Sequence, residues 1–335
     1  MRVTVFGARS YDRQYLGAAN ADGAHELVFL DPDLDVHTAA LAAGSDAVCV
    51  FVNDRLDAAT LEILAGHGVR LVALRCAGFN NVDLEAADRL GLPVVRVPAY
   101  SPHAVAEFTV GLLLTLDRQI HRAWARTREN NFALDGLVGR NLHGRTIGVV
   151  GTGRIGAIVA RILRSGFGCE LLAADVMEDE QLIAAGVRYV PRDLLLRESD
   201  VVSLHCPLTP ETRHMINGAV IAQARPGLVI INTSRGGLID TAALIDALKT
   251  GKIGGVALDV YEQEGDLFFR DLSNEIVQDD TFQRLLTFPN VLITGHQAFL
   301  TSDALDAIAH TTMDSLAEAE AGKPLTHRIT AAMIR

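Results

Sequence analysis

Cysteine is scarce and scattered in this sequence. Its 335 residues include four, Cys49, Cys76, Cys169 and Cys206. None forms a C-x-x-C pair, which excludes a zinc ribbon and a thioredoxin-like redox motif and gives no reason to expect a metal. So few thiols fit the reducing cytoplasm most easily. Basic charge is also short: 30 Lys and Arg against 41 Asp and Glu leave a net charge of −11. Such a surface disfavours nonspecific binding to nucleic acid or to an anionic membrane, while leaving room for a local cationic site for a small anion. Long apolar runs are missing. The stretch 110–116 is among the longest and falls far short of the ~20 residues of a membrane span. The first seven residues read as a strand entering a turn, without the apolar run and cleavage site of a signal peptide. There is no internal repeat or low-complexity tract. What remains is ordinary soluble-globular composition, 49% hydrophobic and 21% charged, at a length that suggests two domains and needs no covalent staple.

Short β-rich apolar runs alternate with helical patterns. Strands are expected at 3–6, 27–30, 47–52, 71–74, 94–96, 146–150, 170–174, 201–204, 228–232, 255–259 and 291–294, and helices at 58–66, 84–90, 155–166 and 241–250. This alternation predicts the α/β class, with parallel sheets covered by helices. Several strands are almost wholly apolar, as when both faces of a sheet are buried. The series breaks at Tyr100-Ser101-Pro102, where Ser101 is a candidate N-cap and Pro102 suits a first helical turn. The longest helical pattern follows, from 103 to about 128, and suggests a crossing between domains. A second run, 302–321, could carry the chain back; Gly322 and Pro324 stop it. The acidic stretch 265–280, with Phe268 and Phe269 in it, reads as a surface insertion with an aromatic anchor.

The strand at 146–150 runs directly into Gly151-Thr152-Gly153-Arg154-Ile155-Gly156. In this G-x-G-x-x-G turn Gly151 permits the tight bend, Gly153 lets the backbone approach a pyrophosphate, and Gly156 lets helix and strand pack closely. The helix N-terminus offers unpaired N–H groups to the phosphates. The next strand ends at Asp175, ~20 residues on, where a carboxylate can accept both ribose hydroxyls and would repel a 2′-phosphate. The pattern therefore predicts NAD rather than NADP.

Three polar positions lie just past apolar strands, where ligand sites occur in open α/β sheets. Arg235 lies in Asn232-Thr233-Ser234-Arg235-Gly236-Gly237, an acid in Asp259-Val260-Tyr261-Glu262-Gln263-Glu264, and His296 in Gly295-His296-Gln297-Ala298. Singly, each has an ordinary explanation as a loop charge or a structural histidine. Together they suit carbonyl reduction. Guanidinium grips a carboxylate bidentately, imidazole supplies a proton near neutrality, and an adjacent carboxylate orients that imidazole. Spacing alone leaves Glu262 and Glu264 both open.

Ordered matches along essentially the whole chain resemble the D-isomer-specific 2-hydroxyacid dehydrogenase family, and within it the fermentative D-lactate dehydrogenases of bacteria. They are Arg75-Cys76-Ala77-Gly78-Phe79-Asn80-Asn81-Val82-Asp83, Val97-Pro98-Ala99-Tyr100-Ser101-Pro102, the glycine turn, Leu204-His205-Cys206-Pro207-Leu208-Thr209, and the stretches around Arg235, Glu264 and His296. The resemblance implies two Rossmann-like parallel-sheet domains, a substrate domain of 1–100 and 298–335 with an NAD-binding domain of 101–297 inserted into it. It implies Arg235, Glu264 and His296 as the catalytic set, choosing Glu264 over Glu262. It places Ala77, Gly78 and Tyr100 on the substrate, with Phe51 and Phe299 at its small methyl end. It adds His205, Cys206, Pro207, Thr233, Ser234 and Asp259 to the cofactor wall, and a homodimer or homotetramer as the assembly. The expected reaction is reversible NADH-dependent reduction of pyruvate to D-lactate, with domain closure excluding water. The continuation Glu264-Gly265-Asp266-Leu267-Phe268-Phe269, and the residues Gln297 and Phe299, resemble the lactate type. Phe108 departs from the pattern. Another 2-keto acid, or an NAD-sensing corepressor-like role, are the competing readings.

Overall fold

Apolar strand runs separated by amphipathic segments bury both faces of a sheet only if helices cover them, and the chain folds in that way. A computed structural model describes residues 1–334. Its strands are β1 (Arg2–Val5), β2 (Glu26–Phe29), β3 (Ala47–Val50), β4 (Leu71–Leu74), β5 (Val94–Arg96), β6 (Thr146–Val150), β7 (Glu170–Ala174), β8 (Arg188–Tyr189), β9 (Val201–Leu204), β10 (Leu228–Asn232), β11 (Ile253–Leu258), β12 (Val291–Ile293) and β13 (Arg328–Ile329). They form two separate sheets. The chain divides into two compact units: Met1–Ser101 joined by the segment from Leu300 onward, and Pro102–Phe299.

The first unit holds a six-stranded sheet in the order β13-β5-β4-β3-β1-β2. Its pairs are parallel except for β13, which runs antiparallel along β5. Every side chain of β3 and β4 is buried. The helix Ser302–Glu320 packs Ala309, Met313 and Leu316 into the same core as Val3, Val5, Cys49 and Ala73. Thr301 caps it, its hydroxyl accepting the Ala304 N–H at 3.2 Å. The two-residue β13 is too short to carry a recognisable strand pattern.

The second unit holds a seven-stranded sheet in the order β12-β11-β10-β9-β6-β7-β8, parallel throughout. The chain runs outward from β6 through β7 and β8, then returns to lay β9 on the other side of β6. The strand order reverses between β6 and β9, and the crevice beyond their C-terminal ends is where such sheets bind ligands. Ala106, Val110 and Leu113 of the helix Pro102–Asp117 share a core with Ile147, Val149, Ile231 and Ala257, and Phe108 packs against it.

The single long helix expected from 103 to 128 is two, Pro102–Asp117 and Ile120–Arg128. Gln119 turns into the left-handed region at φ 53°, and its side-chain amide donates to the Leu116 carbonyl at 2.8 Å. The chain returns closely here: a Cβ on Gly139 would lie 2.3 Å from the Asp117 carbonyl oxygen, and Arg140 pairs with Asp117. The helix expected over 155–166 is α-helical over Arg154–Arg161 and widens into a π-turn over Ile162–Gly166. Phe268 anchors the 265–280 segment in the second unit's core, where its ring meets Phe282 at 5.9 Å. Among the described residues, no helix is long and apolar enough to cross a membrane.

Candidate active site

The glycine turn lies at the reversal point of the second sheet. Gly151 follows β6 at φ 91°, a conformation open to glycine without strain. A Cβ there would meet the Cys206 nitrogen at 2.6 Å, so the ends of β6 and β9 close on one another through this residue. Gly156 lies against Gly151, where a Cβ would come within 1.9 Å of the Gly151 carbonyl oxygen. Gly153 differs from both: a Cβ on it would face open space. The turn therefore has two packing glycines and one beside a vacant approach to the start of the helix Arg154–Arg161. The amides of Arg154 and Ile155 have no backbone acceptor among the described residues. That cradle fits a dinucleotide pyrophosphate.

Asp175, just beyond β7, is exposed. One carboxylate oxygen accepts the Thr152 N–H and, at 3.2 Å, the Thr152 hydroxyl; the other accepts the Met177 N–H at 3.2 Å. The Tyr189 hydroxyl donates to Thr152 Oγ1 at 2.8 Å and accepts the Asp179 N–H at 2.9 Å. The carboxylate is thus oriented while still open to a ribose.

His205 and Cys206 form the facing wall, with Pro207 exposed beside them. His205 Nε2 pairs with the Ser203 hydroxyl at 2.8 Å, and burial pushes the ring down to about 4. It is neutral at physiological pH and unsuited to deliver a proton there. Burial pushes the Cys206 thiol up to about 11, so it stays protonated. Thr233 and Ser234 knit loops together: the Thr233 hydroxyl meets that of Thr109 at 2.8 Å, and the Ser234 hydroxyl donates to the Cys206 carbonyl at 2.7 Å.

Arg235, Glu264 and His296 stand beyond the C-terminal ends of the adjacent strands β10, β11 and β12. The Arg235 loop is braced by Asn232, whose side-chain amide donates to the Arg235 carbonyl at 2.9 Å and whose side-chain oxygen accepts the Ser234 N–H at 3.0 Å. The guanidinium donates to the Ser234 carbonyl at 2.7 Å and has no carboxylate partner among the described residues. His296 Nδ1–H donates to Glu264 Oε1 at 2.8 Å, with the two side chains 18% and 23% exposed. Glu264 is itself held by the Tyr261 N–H, which donates to its other oxygen at 2.9 Å. With Nδ1 engaged, His296 Nε2 is left for a reacting group. The Phe269 ring lies 5.7 Å from the imidazole.

His296 is held at φ 52°, a left-handed conformation that costs a non-glycine residue on the order of 1–3 kcal/mol. Asp259 enforces it. Its carbonyl accepts the His296 N–H at 2.7 Å. Its fully buried carboxylate accepts the Thr294 hydroxyl at 2.5 Å and the Gln297 and Ala298 N–H groups at 2.9 Å each. Burial raises this carboxyl above its ordinary value, against those hydrogen bonds. Asp259, expected on the cofactor wall, has no exposed surface and shapes the loop that carries His296.

The remaining substrate candidates Phe51, Ala77, Gly78 and Tyr100 lie in the first unit, and Phe299 is buried at the end of the second. Beyond β4, the Ala77 and Gly78 N–H groups have no acceptor among the described residues. The Ala77 carbonyl is held by Arg96 at 2.8 Å, and the Gly78 carbonyl by the Cys76 thiol at 3.3 Å. The Phe51 ring rests 5.3 Å from the guanidinium carbon of Arg75. Arg75 is buried and donates to Asp12 at 3.0 Å and to the Gly7 carbonyl at 3.2 Å.

Residues 110–298 match the family model of the D-isomer specific 2-hydroxyacid dehydrogenase NAD binding domain. The chain is also 53% identical over 323 residues to D-lactate dehydrogenase of Escherichia coli K12, a match covering 96% of this chain and 98% of that one. The chain belongs to the D-isomer specific 2-hydroxyacid dehydrogenase family. It is likewise 53% identical to 2-hydroxyacid dehydrogenase homolog 1 of Schizosaccharomyces pombe over 318 residues, 95% of this chain and 96% of that one. A solved structure described as the pyruvate reductase of Chlamydomonas reinhardtii superimposes with a TM-score of 0.92 at 45% identity, covering 97% of this chain and 98% of that one. As a 2-hydroxyacid dehydrogenase, the chain uses its second unit to bind NAD.

Several contacts of this dehydrogenase site have no signal in the sequence. Tyr189 reaches Thr152 across 37 positions, and Glu262 pairs with His214 across 48. Phe269 was expected only as part of an aromatic anchor, and its contact with His296 depends on how the 265–280 segment folds. The loop role of Asp259 follows from its burial, which strand periodicity does not reveal.

Proposed function

We propose that this 2-hydroxyacid dehydrogenase catalyses the reversible reduction of pyruvate to D-lactate with NADH. The observation that carries the reading is the His296–Glu264 pair, 2.8 Å apart, beyond the same sheet edge as an Arg235 with no carboxylate partner among the described residues. NADH supplies the hydride to the ketone carbon. Arg235 binds the substrate carboxylate through its planar fork. His296, protonated, gives its proton to the ketone oxygen, which leaves an alcohol and a neutral imidazole. Glu264 holds His296 and stabilises its charge. The Ala77 and Gly78 N–H groups and Tyr100 of the first unit are assigned to the substrate, and Phe51 of the first unit and Phe299 of the second to its methyl end. The short substrate is favoured by the stretch from Glu264 to Phe269, by Gln297 and Phe299, and by the named activities of the E. coli and Chlamydomonas proteins.

The proposed setting is fermentative and cytoplasmic, and the proposed assembly a homodimer or homotetramer. In the second unit, the apolar side chains Trp124, Leu134 and Val138 are 62%, 78% and 93% exposed, and Trp124 is the one proposed to meet a second copy. NADH oxidation with a panel of 2-keto acids, with the chirality of the product determined, tests the function. Preference for pyruvate yielding D-lactate is expected. Preference for a bulkier keto acid would retain the chemistry and refute the substrate. NADH binding without turnover would refute the enzymatic reading and favour a sensor.

A further inference from the structure

Two histidine–glutamate pairs flank one turn. Glu264 takes His296, and two residues earlier Glu262 takes His214, whose Nε2–H donates to Glu262 Oε1 at 2.6 Å. The Thr241 hydroxyl donates to the other Glu262 oxygen at 3.3 Å, and the Arg213 guanidinium stands 3.5 Å from Oε1. Glu262 therefore gathers the segment after β9 and the start of the helix Thr241–Lys249. The reaction chemistry uses neither His214 nor Glu262.

Both reach the Arg235 loop. His214, held at φ 50°, donates its own N–H to the Gly237 carbonyl at 2.8 Å. On the other side, Gly236 presses on the backbone that precedes the Glu262 side chain: a Cβ on Gly236 would lie 2.1 Å from the Tyr261 carbonyl carbon and 2.4 Å from the Glu262 nitrogen. The two residues after Arg235 are thus clamped between Glu262 and His214, and the Glu262–His214 bond ties the clamp shut. A bidentate guanidinium–carboxylate contact is sensitive to small misplacements of the fork.

We infer that Glu262, acting through His214, is a positioning residue for Arg235. It fixes the loop that aims the guanidinium, while Glu264 acts on the proton donor. One turn then sets both ends of a 2-keto acid, the carboxylate through Glu262 and the ketone through Glu264. The inference rests on the reading of Arg235 as the carboxylate anchor.

The test is steady-state kinetics of the full chain with NADH and its best 2-keto acid. The variants are Glu262→Gln, His214→Ala, His214→Gln, Arg235→Lys and the double variant Glu262→Gln/Arg235→Lys. Glu262→Gln and His214→Ala are expected to raise the keto-acid KM about tenfold, the scale of one lost charge-assisted hydrogen bond, with a much smaller change in kcat and none in the KM for NADH. His214→Gln keeps a donor and restores most of the affinity. Arg235→Lys also raises KM, because an ammonium lacks the planar fork, and Glu262→Gln then adds little to it. A Glu262→Gln loss that falls on kcat alone, or is fully additive with Arg235→Lys, would overturn the inference. An Arg235→Lys variant with unchanged KM refutes the anchor reading and this inference with it. A raised KM in Arg235→Lys with unchanged KM in Glu262→Gln and His214→Ala refutes this inference only.

Discussion

Replacing Glu264 by Gln removes one charge and almost no volume. The glutamine oxygen can still accept the His296 Nδ1–H, now 2.8 Å from Glu264 Oε1, so the ring keeps its place. The imidazolium loses its counter-charge. The pair is mostly buried, at 18% and 23% exposure, so water replaces little of that interaction. A hydrogen bond to a charged acceptor is stronger than one to a neutral acceptor by roughly 1–1.5 kcal/mol, about tenfold in rate. If His296 delivers the proton, as proposed, Glu264→Gln should lower kcat for keto-acid reduction by about tenfold while leaving the KM for NADH unchanged. The assay is steady-state kinetics of NADH-dependent reduction. Glu262→Gln is the contrast, because its carboxylate serves His214 and its loss should fall on the keto-acid KM. An unchanged kcat in Glu264→Gln refutes the role of Glu264.

The glycine turn separates binding from packing. Gly153→Ala adds a methyl where nothing lies within 4 Å, so stability should hold while the KM for NADH rises by about tenfold or more. Gly156→Ala drives a methyl into the Gly151 carbonyl and should lower the urea midpoint, at a cost of roughly 2 kcal/mol; equal midpoints for the two variants would refute the distinction. In the first unit, burial pushes the Asp54 carboxyl up to about 6. The native chain therefore holds a proton that the unfolded chain releases between pH 3.8 and about 6, and this group's contribution to stability falls as pH rises through that window, by up to about 3 kcal/mol. Urea titrations should show this fall in the wild type relative to Asp54→Asn; parallel curves across the window would refute it. With the proposed oligomer meeting at Trp124, Trp124→Glu should shift the hydrodynamic size toward that of the monomer, and an unchanged size would refute that interface.

The sheet architecture was largely legible because its information is local. Apolar runs such as Val201–Leu204 and Leu228–Asn232 bury every residue, and the glycine turn announces the reversal point that follows β6. The failures have a common physical origin. The helix break at Gln119 depends on Gly139 and Arg140 returning to Asp117, partners some twenty positions away that no helical periodicity encodes. The first unit's β13 exists only because β5 offers an edge to two residues. In the site, residue type suggested a chemistry but not the partnerships. A guanidinium, an imidazole and a carboxylate at strand ends suggest carbonyl reduction, but the local pattern does not distinguish Glu262 from Glu264.

The partnership is decided by the backbone of one turn. Tyr261 directs its N–H to Glu264 and leaves Glu262 to His214, so two acids two residues apart hold different histidines. Asp259 makes the same point from below. A buried carboxylate is costly unless it is hydrogen-bonded, and here it holds three donors while its own carbonyl holds the His296 N–H. The strained histidine persists because that burial and those bonds over-determine its loop. His296, the proposed proton donor, is therefore placed before any substrate arrives, which spares the proposed reaction the cost of ordering it.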